Sequence, residues 1–230
     1  MNQEFEKQGL LFVFEGPDGC GKTTTIGKVA KTLLTDKRFK DEKVICLRDQ
    51  TDHNDATKAI RELFHNHYSS LSAKARLLLQ LASRAELDLL IDEYLDKGYI
   101  VLLDRYFPST FVYQGIELDS EYINEVMEAV DMEELDDKYC KCNSIYILLR
   151  DKPFKEEQDD DIEKNTKFDE ILQRYISLLL PIDKTPYKMI NMSEEEDIII
   201  NTIVEDIGSA IDMRDLAYKF AQSIGTEEKF

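Results

Sequence analysis

Apolar residues along this chain fall into two kinds of run that take turns. Short unbroken blocks, such as Leu10-Leu11-Phe12-Val13-Phe14 and Tyr99-Ile100-Val101-Leu102-Leu103, are bounded by glycine or charged residues and read as strands buried on both faces. Between them, longer stretches repeat their apolar positions at helical spacing. The pattern predicts strands at 10–15, 43–48, 99–104, 144–149 and 187–191. It predicts helices at 21–36, 55–66, 70–96, 119–130, 167–180 and 194–221. Such alternation implies an α/β fold, a five-stranded parallel sheet between two helical layers, with functional residues beyond the carboxyl ends of the strands.

One stretch departs from the pattern. Residues 151–165 are highly charged and poor in apolar side chains, so they read as a short mobile lid rather than core. No internal repeat or proline-rich linker divides the chain. The expectation is one domain over residues 1–230, with the lid at about 151–166 inserted in it.

The first strand runs into Gly16-Pro17-Asp18-Gly19-Cys20-Gly21-Lys22-Thr23, a complete G-x-x-x-x-G-K-[ST] phosphate loop followed by a helical stretch. The three-layer αβα expectation thereby becomes a P-loop fold. Glycines let successive backbone N–H groups turn toward a polyphosphate, and the next helix points its positive end at the same anion. ATP-binding residues are then Gly16, Asp18, Gly19, Cys20, Gly21, Lys22, Thr23 and Thr24, with Lys22 on the β- and γ-phosphates and the Thr23 hydroxyl on Mg²⁺.

Charge narrows the partners. A formal net charge of −18 disfavours a DNA or RNA backbone, whose binding is driven by Lys and Arg, but a mononucleotide can be held by a local cluster of cations. The surplus acid sits in runs such as Glu156 to Glu163 and Glu194 to Asp197, which read as solvated surface. No run of 18 apolar residues exists and the start, Met1 to Gln8, is too polar for a secretory leader, so a cytoplasmic protein without membrane contact is expected. Cys20, Cys46, Cys140 and Cys142 lack zinc-finger spacing and read as reduced thiols; Cys20 is either an inert loop thiol or an oxidation-sensitive one.

A second constellation follows the third strand: Asp104-Arg105-Tyr106-Phe107-Pro108-Ser109-Thr110-Phe111-Val112-Tyr113-Gln114-Gly115. An aspartate closing a buried strand beside a phosphate loop suits Mg²⁺, or else a structural ion pair. Arg105 can span two phosphoryl groups with its planar fork.

Together these blocks resemble the thymidylate kinase family. The resemblance rests on Phe14 to Thr24, on Arg48-Asp49 at the end of the second strand, on the helix Leu77 to Glu86, and on Asp104 to Gly115. It implies phosphoryl transfer from ATP to thymidine monophosphate, possession of Mg²⁺, and commonly a homodimer through helix packing. It implies that Asp18 lies near the acceptor sugar and metal shell, that Arg48 and Arg105 hold the acceptor phosphate, and that Arg84 contacts the base. Ser109, Thr110 and Gln114 would line the acceptor pocket, and Tyr113 would pack against the sugar to disfavour a 2′-hydroxyl. Arg84 as a surface residue and Tyr113 as a plain core aromatic are the alternatives.

Three departures stand out. Gln80 occupies the position of a stacking phenylalanine, which opens base identity to another pyrimidine or to a deoxynucleoside acceptor. An alcohol acceptor would want a carboxylate base, a role Glu15 can fill. Gln50-Thr51 replaces an expected Pro-Gly. The lid carries no arginine, so Arg150 at its base is the first candidate for the missing catalytic cation, with Lys155 and Lys164 behind it and Arg174 a helix-surface residue. A non-catalytic nucleotide-dependent regulator is the reading in which no such cation is needed.

Overall fold

A computed structural model describes residues 7–50, 52–129, 141–150, 168–178 and 186–227. The expected lid, with Lys155 and Lys164, lies outside the described residues, as does Cys140. Five strands, β1 (Leu10–Glu15), β2 (Lys43–Arg48), β3 (Tyr99–Asp104), β4 (Ser144–Leu149) and β5 (Tyr187–Asn191), form one parallel sheet in the order β2-β3-β1-β4-β5. Their bounds coincide with those expected from the apolar runs.

β1 is central and buried along its whole length because both neighbours and both helical layers cover it. Its alternation divides the core. Leu10, Phe12 and Phe14 pack with Ile26, Val29 and Leu33 of α1 (Lys22–Thr35) and with Ile199 to Ile211 of the terminal helix. Leu11 and Val13 face the other side, against α3 (Ala73–Asp96), α4 (Phe107–Tyr113), α5 (Ser120–Ala129) and α6 (Phe168–Leu178). The terminal helix, α7, runs Glu196–Glu227, past the expected end at 221. No helix among the described residues is long and apolar enough to cross a membrane.

Two local devices set the remaining elements. Ser72 accepts from the Ala75 N–H and starts α3 three residues later than expected, behind a short 3₁₀ turn at Tyr68–Ser70. Asn54 and Thr57 form a reciprocal capping box at the head of α2 (Asp55–Asn66), and the Asn54 amide donates to Glu86 of α3 at 3.1 Å. That tie holds α2 over the carboxyl edge of β2.

Adjacent strands β1 and β3 send their following helices, α1 and α4, to opposite faces of the sheet. A crevice opens where the two connections part, at the carboxyl ends of the strands.

Candidate active site

The crevice is a cavity of about 970 Å³. Its floor is the phosphate loop. Gly16, at φ 140°, passes so close to β4 that a Cβ there would lie 2.4 Å from the Leu148 carbonyl oxygen, so no other residue fits. α1 begins at Gly21 with no side-chain cap and no acid in its first turn, which leaves its first N–H groups facing the cavity. Lys22 Nζ donates to the Gly16 and Pro17 carbonyls at 2.9 and 2.8 Å and lies 3.6 Å from Asp18. Beside it the Thr23 hydroxyl donates to Asp104 Oδ2 at 2.8 Å. Two hard oxygens so placed suit Mg²⁺. Among the described residues, no group of three or more His, Cys, Asp or Glu offers another metal site.

Arg105 stands over this floor with φ 68°, a left-handed backbone that costs a non-glycine residue about 1 kcal/mol or more. Its N–H donates to the Phe14 carbonyl at 3.0 Å, which pins the turn. The guanidinium pairs with Asp18, donates to Ser109 Oγ at 3.2 Å and Tyr175 Oη at 2.8 Å, and lies 5.1 Å over the Tyr113 ring. Burial works against its charge more than any single neighbour favours it, but Asp18, Tyr113, Tyr175 and Glu15 together outweigh burial and hold the proton more firmly than on a free arginine.

Glu15 lies beneath, fully buried. Its carboxylate accepts from the Tyr106 N–H at 2.8 Å, the Ser109 N–H and hydroxyl at 3.3 and 2.7 Å, and Tyr175 Oη at 3.0 Å. Burial raises its pKa, partly offset by Arg105 and these donors. With both oxygens engaged below the floor and away from the cavity lining, Glu15 is a structural anchor here, not a base placed for an alcohol acceptor.

One arm of the cavity is built from the end of β2 and from α2 and α3. Asp49 accepts from Gln80 Nε2 at 2.7 Å and pairs with Arg84, while Gln50 Nε2 donates to Gln80 Oε1 at 2.7 Å. A carboxylate only accepts, so Asp49 fixes which way the Gln80 amide faces. Gln50 takes φ 53°, unreachable for proline, so the turn after Arg48 is reshaped relative to the family's Pro-Gly. Arg48 and Arg61 share Asp52 at the rim, at 3.5 and 3.4 Å.

Most expected site residues converge on the cavity: Asp18, Gly19, Gly21, Lys22, Thr23, Thr24, Arg48, Gln80, Asp104, Arg105, Ser109, Tyr113, Gln114 and Arg150 line it. Gly16 and Cys20 lie under the loop, and burial raises the Cys20 thiol, which disfavours the oxidation-prone thiolate. Arg84 and Thr110 are fully buried and bonded to each other, away from the lining. Arg84 is therefore not on the surface in this structure. Arg174 is likewise no free surface group: it donates to the Gly115 carbonyl at 2.9 Å.

Several lining residues carry no motif. Arg61, Phe64 and His65 reach the first arm from α2, and Lys28, Met192, Ser193, Ile199 and Ile200 form the far arm between α1 and the β5–α7 connection. The two arms meet at Lys22, Asp18 and Arg105. Despite the acidic chain, Lys22, Lys28, Arg48, Arg61, Arg105 and Arg150 all face this space, an arrangement that can bring two anions together.

A family model for thymidylate kinase matches residues 14–203. The thymidylate kinase of Ureaplasma parvum is 35% identical over 112 residues, 48% of each chain. That of Chlorobaculum parvum is 38% identical over 107 residues, 46% of this chain and 47% of its own. The chain thus spans about half the length of the curated relatives it matches. Among solved structures, the thymidylate kinase from Ehrlichia chaffeensis superposes with a TM-score of 0.66 at 18% identity, over 87% of this chain and 99% of that one; the fold is shared.

Proposed function

Because this chain belongs to the thymidylate kinase family, by the match across residues 14–203, we propose that it transfers the γ-phosphoryl of ATP to a deoxynucleoside monophosphate, converting dTMP to dTDP. The observation that carries this reading is the meeting of two cavity arms at Lys22, Asp18 and Arg105, where donor and acceptor phosphates would face each other.

In this reading Lys22 and the N-terminus of α1 hold the donor's terminal phosphates, while Arg48 and Arg105 hold the acceptor phosphate in line with them. Mg²⁺, when bound, neutralises charge on the donor phosphates, and Thr23 and Asp104 are the residues that would hold it. No general base is required, because the acceptor phosphate is already an anionic nucleophile. Tyr113 would close the sugar edge, and Arg150, half-buried at the end of β4 and lining the cavity, supplies the cation that an arginine-free lid lacks. The same reading has one kinase domain working in the cytoplasm on small nucleotides. Exposed Leu63 on α2 and Leu78 and Leu89 on α3 support a homodimer through helix packing.

A second reading concerns the base. Gln80 faces the cavity with its amide oriented by Asp49, so a pyrimidine other than thymine is the acceptor this site would next accommodate. The test is ADP release from Mg·ATP with each deoxynucleoside monophosphate, deoxyuridylate, a hydroxymethylated pyrimidine nucleotide and thymidine. Selective turnover of dTMP supports the first reading. Preference for another nucleotide moves specificity to Gln80, turnover of thymidine makes the chain a nucleoside kinase, and ATP binding without acceptor-dependent turnover makes it a regulator.

A further inference from the structure

We infer that Tyr175, on α6, is a positioning residue that sets the Arg105 guanidinium before an anion arrives; the inference rests on the reading of Arg105 as a phosphate-holding residue. The Tyr175 ring is fully buried, and its hydroxyl meets three groups: Arg105 Nη1 at 2.8 Å, Ser109 Oγ at 3.0 Å and Glu15 Oε2 at 3.0 Å. Packing alone would be served by phenylalanine, since a buried hydroxyl is unfavourable unless bonded.

With Glu15 ionised, the following arrangement of protons satisfies the group. Arg105 can only donate, and a carboxylate can only accept. Tyr175 Oη therefore accepts from Arg105 and donates to Glu15, and Ser109 Oγ, 3.2 Å from Arg105 and 2.7 Å from Glu15, does the same. Two hydroxyls thus link a buried carboxylate to a guanidinium. Asp18 holds the opposite side of the fork, and the Tyr113 ring lies beneath it.

The hydroxyl can hold this place because α6 is itself fixed. Ile171 is buried in the core, and Arg174, next to Tyr175, donates to the Gly115 carbonyl just past α4. A free arginine loses rotamer freedom on ordering. Here much of that ordering precedes binding, which favours association with phosphate.

The test compares Tyr175→Phe with the unaltered protein by steady-state kinetics for each substrate, by thermal unfolding, and by the ¹⁵N side-chain signal of Arg105 assigned through Arg105→Lys. The expected result is kcat/KM for the acceptor lowered by about tenfold or more, donor KM within about twofold, and an Arg105 signal that broadens or shifts. Unchanged acceptor kinetics with an unchanged Arg105 signal, and only a lower Tm, would overturn the inference and leave the hydroxyl as a partner for Glu15 alone. Should Tyr175→Phe fold poorly, Glu15→Gln/Tyr175→Phe is compared with Glu15→Gln, which removes the buried charge from both; the same loss is expected on adding Tyr175→Phe. If the unaltered protein turns over no deoxynucleotide, the proposed reaction falls, and the Arg105 signal still decides the role of Tyr175.

Discussion

The Thr23 hydroxyl and Asp104 Oδ2, 2.8 Å apart, join the first turn of α1 to the last residue of β3. If this pair holds the metal, Asp104→Asn lowers turnover by about a hundredfold or more and raises the Mg²⁺ concentration needed for half-maximal rate. A purely structural pair would instead lower Tm and leave the Mg²⁺ dependence where it was. Titration of rate against Mg²⁺ at fixed ATP separates the two.

Arg150 is expected to act on the transferring phosphoryl group. Arg150→Ala should cut kcat by about a hundredfold or more, with nucleotide KM values nearly unchanged, because the lost interaction belongs to the transition state. Comparable kcat in Arg150→Ala moves the role elsewhere.

Tyr113 sits against Arg105 and makes a T-shaped contact with the Tyr175 ring, the centroids 6.4 Å apart. If its ring excludes a 2′-hydroxyl, Tyr113→Ser improves use of the ribonucleotide relative to the deoxyribonucleotide, read as a ratio of kcat/KM. An unchanged ratio returns Tyr113 to the core.

Arg84 and Asp49 form an ion pair with side chains 0% and 3% exposed. Replacing one partner strands a buried charge, so Arg84→Met should destabilise the protein by about 3–5 kcal/mol in denaturant unfolding. Arg84→Met with Asp49→Leu should recover part of that loss. A base-contacting role for Arg84 predicts the reverse pattern, a large change in acceptor KM and little change in stability.

Asp206 of α7 reaches across to Tyr146 Oη at 2.7 Å and Ser144 Oγ at 2.9 Å on β4, and to Lys188 on β5. Burial pushes its carboxyl upward, but these donors prevail and hold its pKa below the ordinary value. A depressed folded pKa stabilises above the unfolded value of roughly 4 and loses that contribution as pH falls through the folded one. The Tm difference between the unaltered protein and Asp206→Asn should be largest near neutrality and close toward pH 3, with kinetic constants unmoved.

How far the sequence foretold this depended on the kind of signal. Four of the five strands were legible because each carries an unbroken apolar run closed by a charged residue, β5 being interrupted by Lys188, and the phosphate loop because its spacing is a physical requirement for turning N–H groups inward. α4 was not read as a helix: seven residues rich in Phe, Thr, Val and Tyr carry a strand-like composition, and only Pro108 in the first turn speaks for a helix start. Arg61, Phe64 and His65 reach the cavity only because the Asn54 cap sets the course of α2. Tyr175 belongs to an ordinary amphipathic helix, and nothing local distinguishes its hydroxyl from those of other tyrosines. The surroundings of Arg84 are illegible for another reason, since a helix position says nothing of the Asp49 carboxylate just past the end of β2.

Phe12 in β1 is flanked by Leu102 on one side and Ser144 on the other, and Gly16 fits against the Leu148 carbonyl. During synthesis from the N-terminus, the phosphate loop therefore emerges early but has no seat until β4 has followed. Contacts so distant along the chain form slowly and leave apolar strands exposed meanwhile. A chain released before Leu148 would be no weakened nucleotide binder; it would lack the wall against which the loop is shaped, and would be a substrate for chaperones and proteases instead.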